Sequence, residues 1–182
     1  MENPITGDEA ERRWDTYLVA RREETSSRRS VSELGGEAVA LLAHKIRRGH
    51  PEERAAALDL SADDPDLAAA LIDSLLWLSV THAWAGRVRQ VLDNIPSFEL
   101  FPMLTQRVPE LLDQALIEED EPYDDFRRFA ELLEHVRHWH LLGELVGKAS
   151  ESADADVREV VEDYEKYRHL WSFSRGDQAD PG

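Results

Sequence analysis

Apolar residues in this chain recur at intervals of three and four from Trp14 to Val161, and nowhere do they alternate with polar ones over the length of a strand. That period lines one face of a helix and has no use in a half-buried strand. No Asn-Gly or Asp-Gly pair is present to turn a hairpin. The pattern predicts an all-α fold of antiparallel helix pairs joined by short loops.

Prolines and glycines punctuate the pattern. A first helix is expected over about 8–24, with Trp14, Tyr17 and Leu18 on one face and Thr6 with Glu9 placed as a capping box. The polar run 25–30 then reads as a linker. Ser30 and Glu33 form a second capping-box pattern, opening a helix that carries Val39, Leu42 and Ile46. Gly49 and Pro51 stop one helix and start the next. Asp64-Pro65-Asp66 is a strong helix start, with a capping acid, a proline at the first helical position and an acid at the positive dipole end.

The segment 67–86 is apolar on most sides and just long enough to span a bilayer. Asp73, Ser74, Ser79, Thr81 and His82 interrupt it, so it reads as a buried, central helix, with a break expected around Thr81 to Gly86 before a helix to about Ile95 that carries Val88, Val91 and Leu92. Pro102 and Pro109 each remove a backbone donor, which predicts two short helices with Pro109 near the start of the second. Beyond an acidic loop, helices are expected around Phe126–Val136 and Leu141–Val146. A last helix, capped by Asp156, is expected to carry Val157, Val160, Tyr164 and Trp171. The expected organisation is an N-terminal helix and linker over 1–30, one helical domain over 31–171, and a disordered polar tail over 172–182.

The chain has 182 residues, enough for one domain with a sizeable core. It contains no cysteine, which removes disulfides, thiolate metal ligation and thiol nucleophiles, and fits a reducing compartment. The N-terminus lacks a basic start followed by an apolar run, so a cytoplasmic location is expected. Arginine outnumbers lysine eighteen to three, the codon usage of a GC-rich, bacterial-type genome.

The formal charge is -17 and is unevenly placed. Residues 1–60 carry twelve acids and ten bases, whereas residues 61–182 carry twenty-six acids and eleven bases. A field of that sign repels phosphate backbones, which argues against nucleic acid as a partner for the C-terminal two thirds. It attracts a basic protein partner, or simply keeps the chain dispersed. The arginine pairs at 12–13, 21–22, 28–29 and 47–48 leave a nucleic-acid contact open for the N-terminal third.

The segment 124–167 resembles a HEAT-type helical repeat. The residues that carry the resemblance are Phe126 to Leu133, Leu141 to Val146, and Asp154-Ala155-Asp156-Val157-Arg158-Glu159-Val160-Val161. Leu75-Leu76 precede Gly86 by the spacing at which Leu132-Leu133 precede Gly143, an echo at an offset longer than one such repeat. The resemblance implies a HEAT-like α-solenoid of stacked helix pairs with a protein-binding face, as against an irregular helical bundle. It brings no catalytic residues.

Enzyme signatures are missing: no Gly-x-Ser-x-Gly elbow, no phosphate-binding glycine loop and no His-Glu-x-x-His occurs. His135, His138 and His140 invite a metal reading, yet His140 falls on a different helical face from the other two. Asp73 on an apolar helix is the acid to watch. Glu118, Glu119, Asp120, Glu121, Asp124 and Asp125 lack the spacing of a calcium loop and are candidates for docking a basic partner. Trp77, Trp84, Trp139 and Trp171 read as packing residues, and Gly143 and Gly147 as sites of close approach.

The sequence therefore supports a non-catalytic protein-binding module, in its sharpest form an acidic immunity protein or antitoxin masking a basic partner. No cofactor or metal is expected, and no membrane. The alternative is a helical metal- or small-ligand-binding domain or enzyme using His135, His138 or Asp73.

Overall fold

A computed structural model describes residues 7–118 and 123–171. Among these the chain is all-α: ten α-helices and one 3-10 turn, with no strand. The helices are α1 (Gly7–Ser32), α2 (Gly36–Arg48), α3 (Pro51–Ala62), α4 (Pro65–Ala70), α5 (Ile72–Ser79), α6 (His82–Leu92), α7 (Ser97–Glu118), α8 (Tyr123–His135), α9 (Trp139–Ser150) and α10 (Ala155–Tyr164), followed by the 3-10 turn Glu165–Leu170. No described helix is long and apolar enough to cross a membrane. Thr6 and the tail 172–182 lie outside the described residues.

The chain divides into two compact units, one ending at Leu42 and the other beginning at Ala43. In the first unit α1 does not stop at Glu24. It runs through the polar stretch because the hydroxyls of Thr25, Ser27 and Ser30 fold back onto the carbonyls of Arg21, Glu23 and Ser26. Ion pairs Arg13–Glu9, Arg28–Glu24 and Arg29–Glu33 support the same helix. Ser30 is thus inside α1 and caps nothing. Trp14 and Tyr17 stack on each other at 5.4 Å and remain more than half exposed.

The second unit holds most of the core. Three expected boundaries are moved in it. The helix expected from Pro65 up to the break near Thr81 is cut at Leu71 into α4 and α5, while the break itself falls at Val80–Thr81, at the near edge of the expected 81–86, ahead of α6. The helix that packs against α5, α6, α7, α9 and α10 is instead α8. Conversely, α7 runs unbroken through Pro102 and Pro109. Its Leu100, Leu104, Val108, Leu112 and Ala115 are all buried on one face. Burying each large side chain contributes about 1.5–3 kcal/mol, which together outweighs the ~3 kcal/mol that an interior proline costs. The last helix is capped by Asp154, whose Oδ1 accepts from the Asp156 N–H at 2.8 Å, and not by Asp156. It ends at Tyr164, so Trp171 lies beyond it.

Other starts fall where expected. Asp64 Oδ1 accepts from the Leu67 N–H at 3.1 Å ahead of Pro65. Gly49 closes the α2–α3 turn: a Cβ there would stand 2.5 Å from the Lys45 carbonyl oxygen.

Cross-helix contacts in the second unit link α3, α6, α8 and α10 in one series and α2, α5, α7 and α9 in another. In the first series Arg54 and Asp59 of α3 meet Trp84 and Arg87 of α6. His82, Arg89 and Asp93 of α6 then meet Arg128, Glu131 and His135 of α8. Arg127 and Glu134 of α8 meet Asp163 and Tyr167 at α10 and the 3-10 turn. In the second series Arg47 of α2 meets Ser74 of α5, and Asp73 of α5 meets Arg107 of α7. Thr105 and Asp113 of α7 meet His138 and Lys148 at α9. Residue numbers rise together for α3 with α6, α6 with α8, α8 with α10 and the 3-10 turn, and α7 with α9, so those neighbours point the same way.

Candidate functional site: an acid-rimmed groove between α5 and α7

α5 buries Leu75, Leu76 and Leu78 completely. Trp77, about 200° around the helix from Leu75, falls outside that stripe and stays 43% exposed. It faces a groove of about 200 Å³ bounded by Leu76, Trp77 and Val80 on α5, Leu111, Gln114 and Ala115 on α7, and Phe129 with Asp125 on α8. Phe129 is buried and forms an apolar floor. Tryptophan combines a large apolar face with one donor, which suits it to an interface. Trp84 and Trp139 behave as crossing residues: Trp84 lies under the Arg54 guanidinium at 5.3 Å, and Trp139 packs on Tyr167 at 5.2 Å.

The rim is acidic. One turn before Trp77 on α5, Asp73 accepts from Arg107 Nε at 2.6 Å, and Glu110 shares the same guanidinium. One base there serves two acids. Asp124 and Asp125 occupy the first turn of α8, where the helix dipole favours them. Asp125 lines the groove and Asp124 is exposed. Of the remaining sequence candidates, Glu118 ends α7, and Glu119, Asp120 and Glu121 lie outside the described residues.

The three histidines do not converge. His135 Nε2 lies 2.9 Å from both carboxylate oxygens of Asp93. His140 Nε2 is 3.4 Å from Glu144. His138 is buried at the start of α9, 4.4 Å from the Phe101 ring. Its Nδ1 accepts from the Leu141 N–H, which leaves Nε2 as the protonated nitrogen facing Thr105 Oγ1 at 3.1 Å. Among the described residues, no three His, Asp or Glu side chains gather as a metal would need. Asp73, the acid singled out from sequence, is half exposed and engaged by Arg107.

A second polar cluster sits on the α6–α8 seam. Glu131 takes hydrogen bonds from Arg89 at 2.6 Å and from Arg128 at 2.9 Å, and Arg128 also reaches His82 Nδ1 at 2.9 Å. Partial burial works against the charged form of Glu131, but the two arginines outweigh it and hold its carboxyl below the usual glutamate range. Every strong contact in this cluster is made to another side chain of the chain itself, so it reads as a clasp between helices.

No family model, curated protein or solved structure matches this chain.

Sequence reasoning missed Trp77 as a site residue because it was grouped with the packing tryptophans. Its phase on α5, opposite Leu75 and one turn after Asp73, is the signal that separates it.

Proposed function

We propose that this chain is a non-catalytic protein-binding module, built on HEAT-like stacking of helix pairs, that covers a basic surface on another protein. The observation that carries the reading is charge placement: residues 61–182 hold twenty-six acids against eleven bases. A surface with that excess steers a cationic partner toward itself and discourages nucleic acid. The like-directed neighbours α3, α6, α8 and α10 support the stacked form, because such an array offers one extended surface for a partner. An acidic immunity protein or antitoxin that masks a basic toxin in the cytoplasm is the sharpest form of this function.

The test is capture at low salt with the purified chain as bait, followed by a rising salt gradient. Release of a cationic protein as ionic strength rises is the expected result, since screening shortens the reach of surface charge to roughly 8 Å at physiological salt. Recovery of no partner, or of one whose retention ignores salt, overturns the reading.

A further inference from the structure

We propose that the open cleft between the end of α2 and the start of α5 binds the phosphate of a small phosphomonoester, held by Arg47, Arg48, His44 and the Ser74 hydroxyl. This site is separate from the α5–α7 groove and does not rest on the basic-partner reading above.

Four observations carry the inference. First, His44, Arg47 and Arg48 line one cleft together. Among the described residues no carboxylate pairs with any of the three, although the chain holds thirty-eight acids for twenty-one Lys and Arg. The acid in the lining, Asp73, is engaged by Arg107 Nε at 2.6 Å. Second, Arg47 is already aimed. Its Nε donates to Ser74 Oγ at 3.1 Å, which leaves the two terminal nitrogens as a fork for two oxygens of one phosphate. Third, Ser74 is 4% exposed, yet its hydroxyl is engaged only as an acceptor. The buried Ser61 and Ser79 instead return their protons to the carbonyls of Ala57 and Leu76. The Ser74 proton is a buried donor at the wall of the cleft. Fourth, that wall is the first turn of α5, the helix end whose dipole favours an anion.

The occupant follows from these donors. A phosphate monoester brings three acceptor oxygens and up to two charges to two guanidiniums, an imidazole and a hydroxyl, where a carboxylate brings two oxygens and one charge. The cleft measures about 500 Å³, within the roughly 300–1,000 Å³ of small-molecule sites and more than a bare phosphate fills. Ala43, Ala70 and Leu71 give the carrier of the phosphate an apolar wall. A polyanion is opposed, because residues 61–182 carry twenty-six acids against eleven bases and repel a run of phosphates. A single dianion instead meets the guanidiniums at contact, well inside the screening length.

The probe is phenyl phosphate, titrated into the isotopically labelled full chain at constant ionic strength and followed by nuclear magnetic resonance. Inorganic phosphate and benzenesulfonate, a monoanion of similar shape, are run beside it. Saturable shifts at the backbone amides of Ser74 and Arg48 are expected, with a Kd of about 1 mM or below, and both controls should bind about threefold or more weakly. Arg48→Gln should weaken phenyl phosphate about tenfold, and Arg47→Lys, which keeps the charge and loses the fork, at least about threefold. Arg137→Gln makes the same change in net charge as Arg48→Gln outside the cleft, and should leave the affinity unchanged. All three side chains are exposed, so the fold tolerates these substitutions.

Failure of phenyl phosphate to saturate the chain by about 10 mM overturns the site. Equal weakening by Arg48→Gln and Arg137→Gln overturns it too, as a general effect of charge, and so does benzenesulfonate binding as tightly as phenyl phosphate. A phosphoserine peptide or single-stranded oligothymidine that binds more tightly than phenyl phosphate overturns the small-molecule occupant.

Discussion

The indole of Trp171 lies across the backbone of Gly143, so close that a Cβ on residue 143 would stand 2.8 Å from Trp171 Cγ and 2.9 Å from its Cβ. After α10 the chain passes through the 3-10 turn, which packs on α9, and seats this tryptophan against that helix. A side chain, and not a second helix, uses the room that glycine leaves. Gly147, one turn on, meets nothing within 4 Å.

Gly143→Ala is therefore expected to destabilise, although alanine favours helix by about 1 kcal/mol at an unhindered site. Overpacking of this kind costs about 1–3 kcal/mol, so the net is a loss of up to about 2 kcal/mol. Gly147→Ala has no such obstacle and should gain stability. Paired urea titrations check both. Equal and positive shifts for the two variants would contradict the packing of Trp171 on α9.

The helical nature of the chain was legible because its periodicity extends over every core-bearing segment. Boundaries were legible where a local signal had no competitor, as at Gly49-Pro51 and Asp64-Pro65. They were misread where distant packing decided. Leu71 interrupts an apolar run that contains no proline or glycine, and Pro102 and Pro109 fail to interrupt α7 because five side chains hold it from below. The polar stretch 25–30 reads as a linker until its hydroxyls are seen to bond within the helix. For the site, the acidic partners were visible as composition. The groove was not, because it needs α5, α7 and α8 together, and no window of sequence contains all three.

Pro102 is exposed within α7 and withholds the N–H that would bond the Phe98 carbonyl. Pro102→Ala restores that donor and removes the ring. It should raise stability by about 1 kcal/mol or more, less than the full ~3 kcal/mol propensity difference because alanine frees the unfolded chain. Thermal melts of the two proteins decide it, and a lower melting temperature for the variant would mean that α7 is bent around the proline to a useful end.

Glu131 links α6 to α8 through Arg89 and Arg128, and all three side chains are three-quarters or more buried. Its pKa is lower folded than unfolded, so the stability it adds is fully present above the unfolded glutamate value and is lost as pH falls through the folded value. Glu131→Gln should cost about 1–2 kcal/mol at neutral pH, since it leaves two part-buried arginines short of a charged acceptor. Denaturation of both proteins from pH 7 down to about pH 3 is the measurement. The gap between them should stay flat to roughly pH 4.5 and close below it. A gap that persists unchanged in acid would assign Glu131 a packing role instead.

Arg137 ends α8 in a left-handed conformation, with φ at 58°. The His138 N–H bonds the Leu133 carbonyl at 2.9 Å and the Arg137 N–H bonds the Glu134 carbonyl at 3.1 Å, the paired closure that usually has glycine at this position. Its side chain is exposed, so nothing in the core depends on it. An L-residue here carries a cost of about 1–2 kcal/mol that glycine avoids, partly offset by the greater freedom glycine has when unfolded. Arg137→Gly is expected to stabilise by about 0.5–1 kcal/mol, seen as a higher denaturant midpoint at an unchanged slope. The same substitution removes one base from an already acidic surface. It should therefore slightly strengthen, and never weaken, capture of a cationic partner at low salt. Loss of stability would show that the Arg137 side chain, and not the turn geometry, holds the α8–α9 corner.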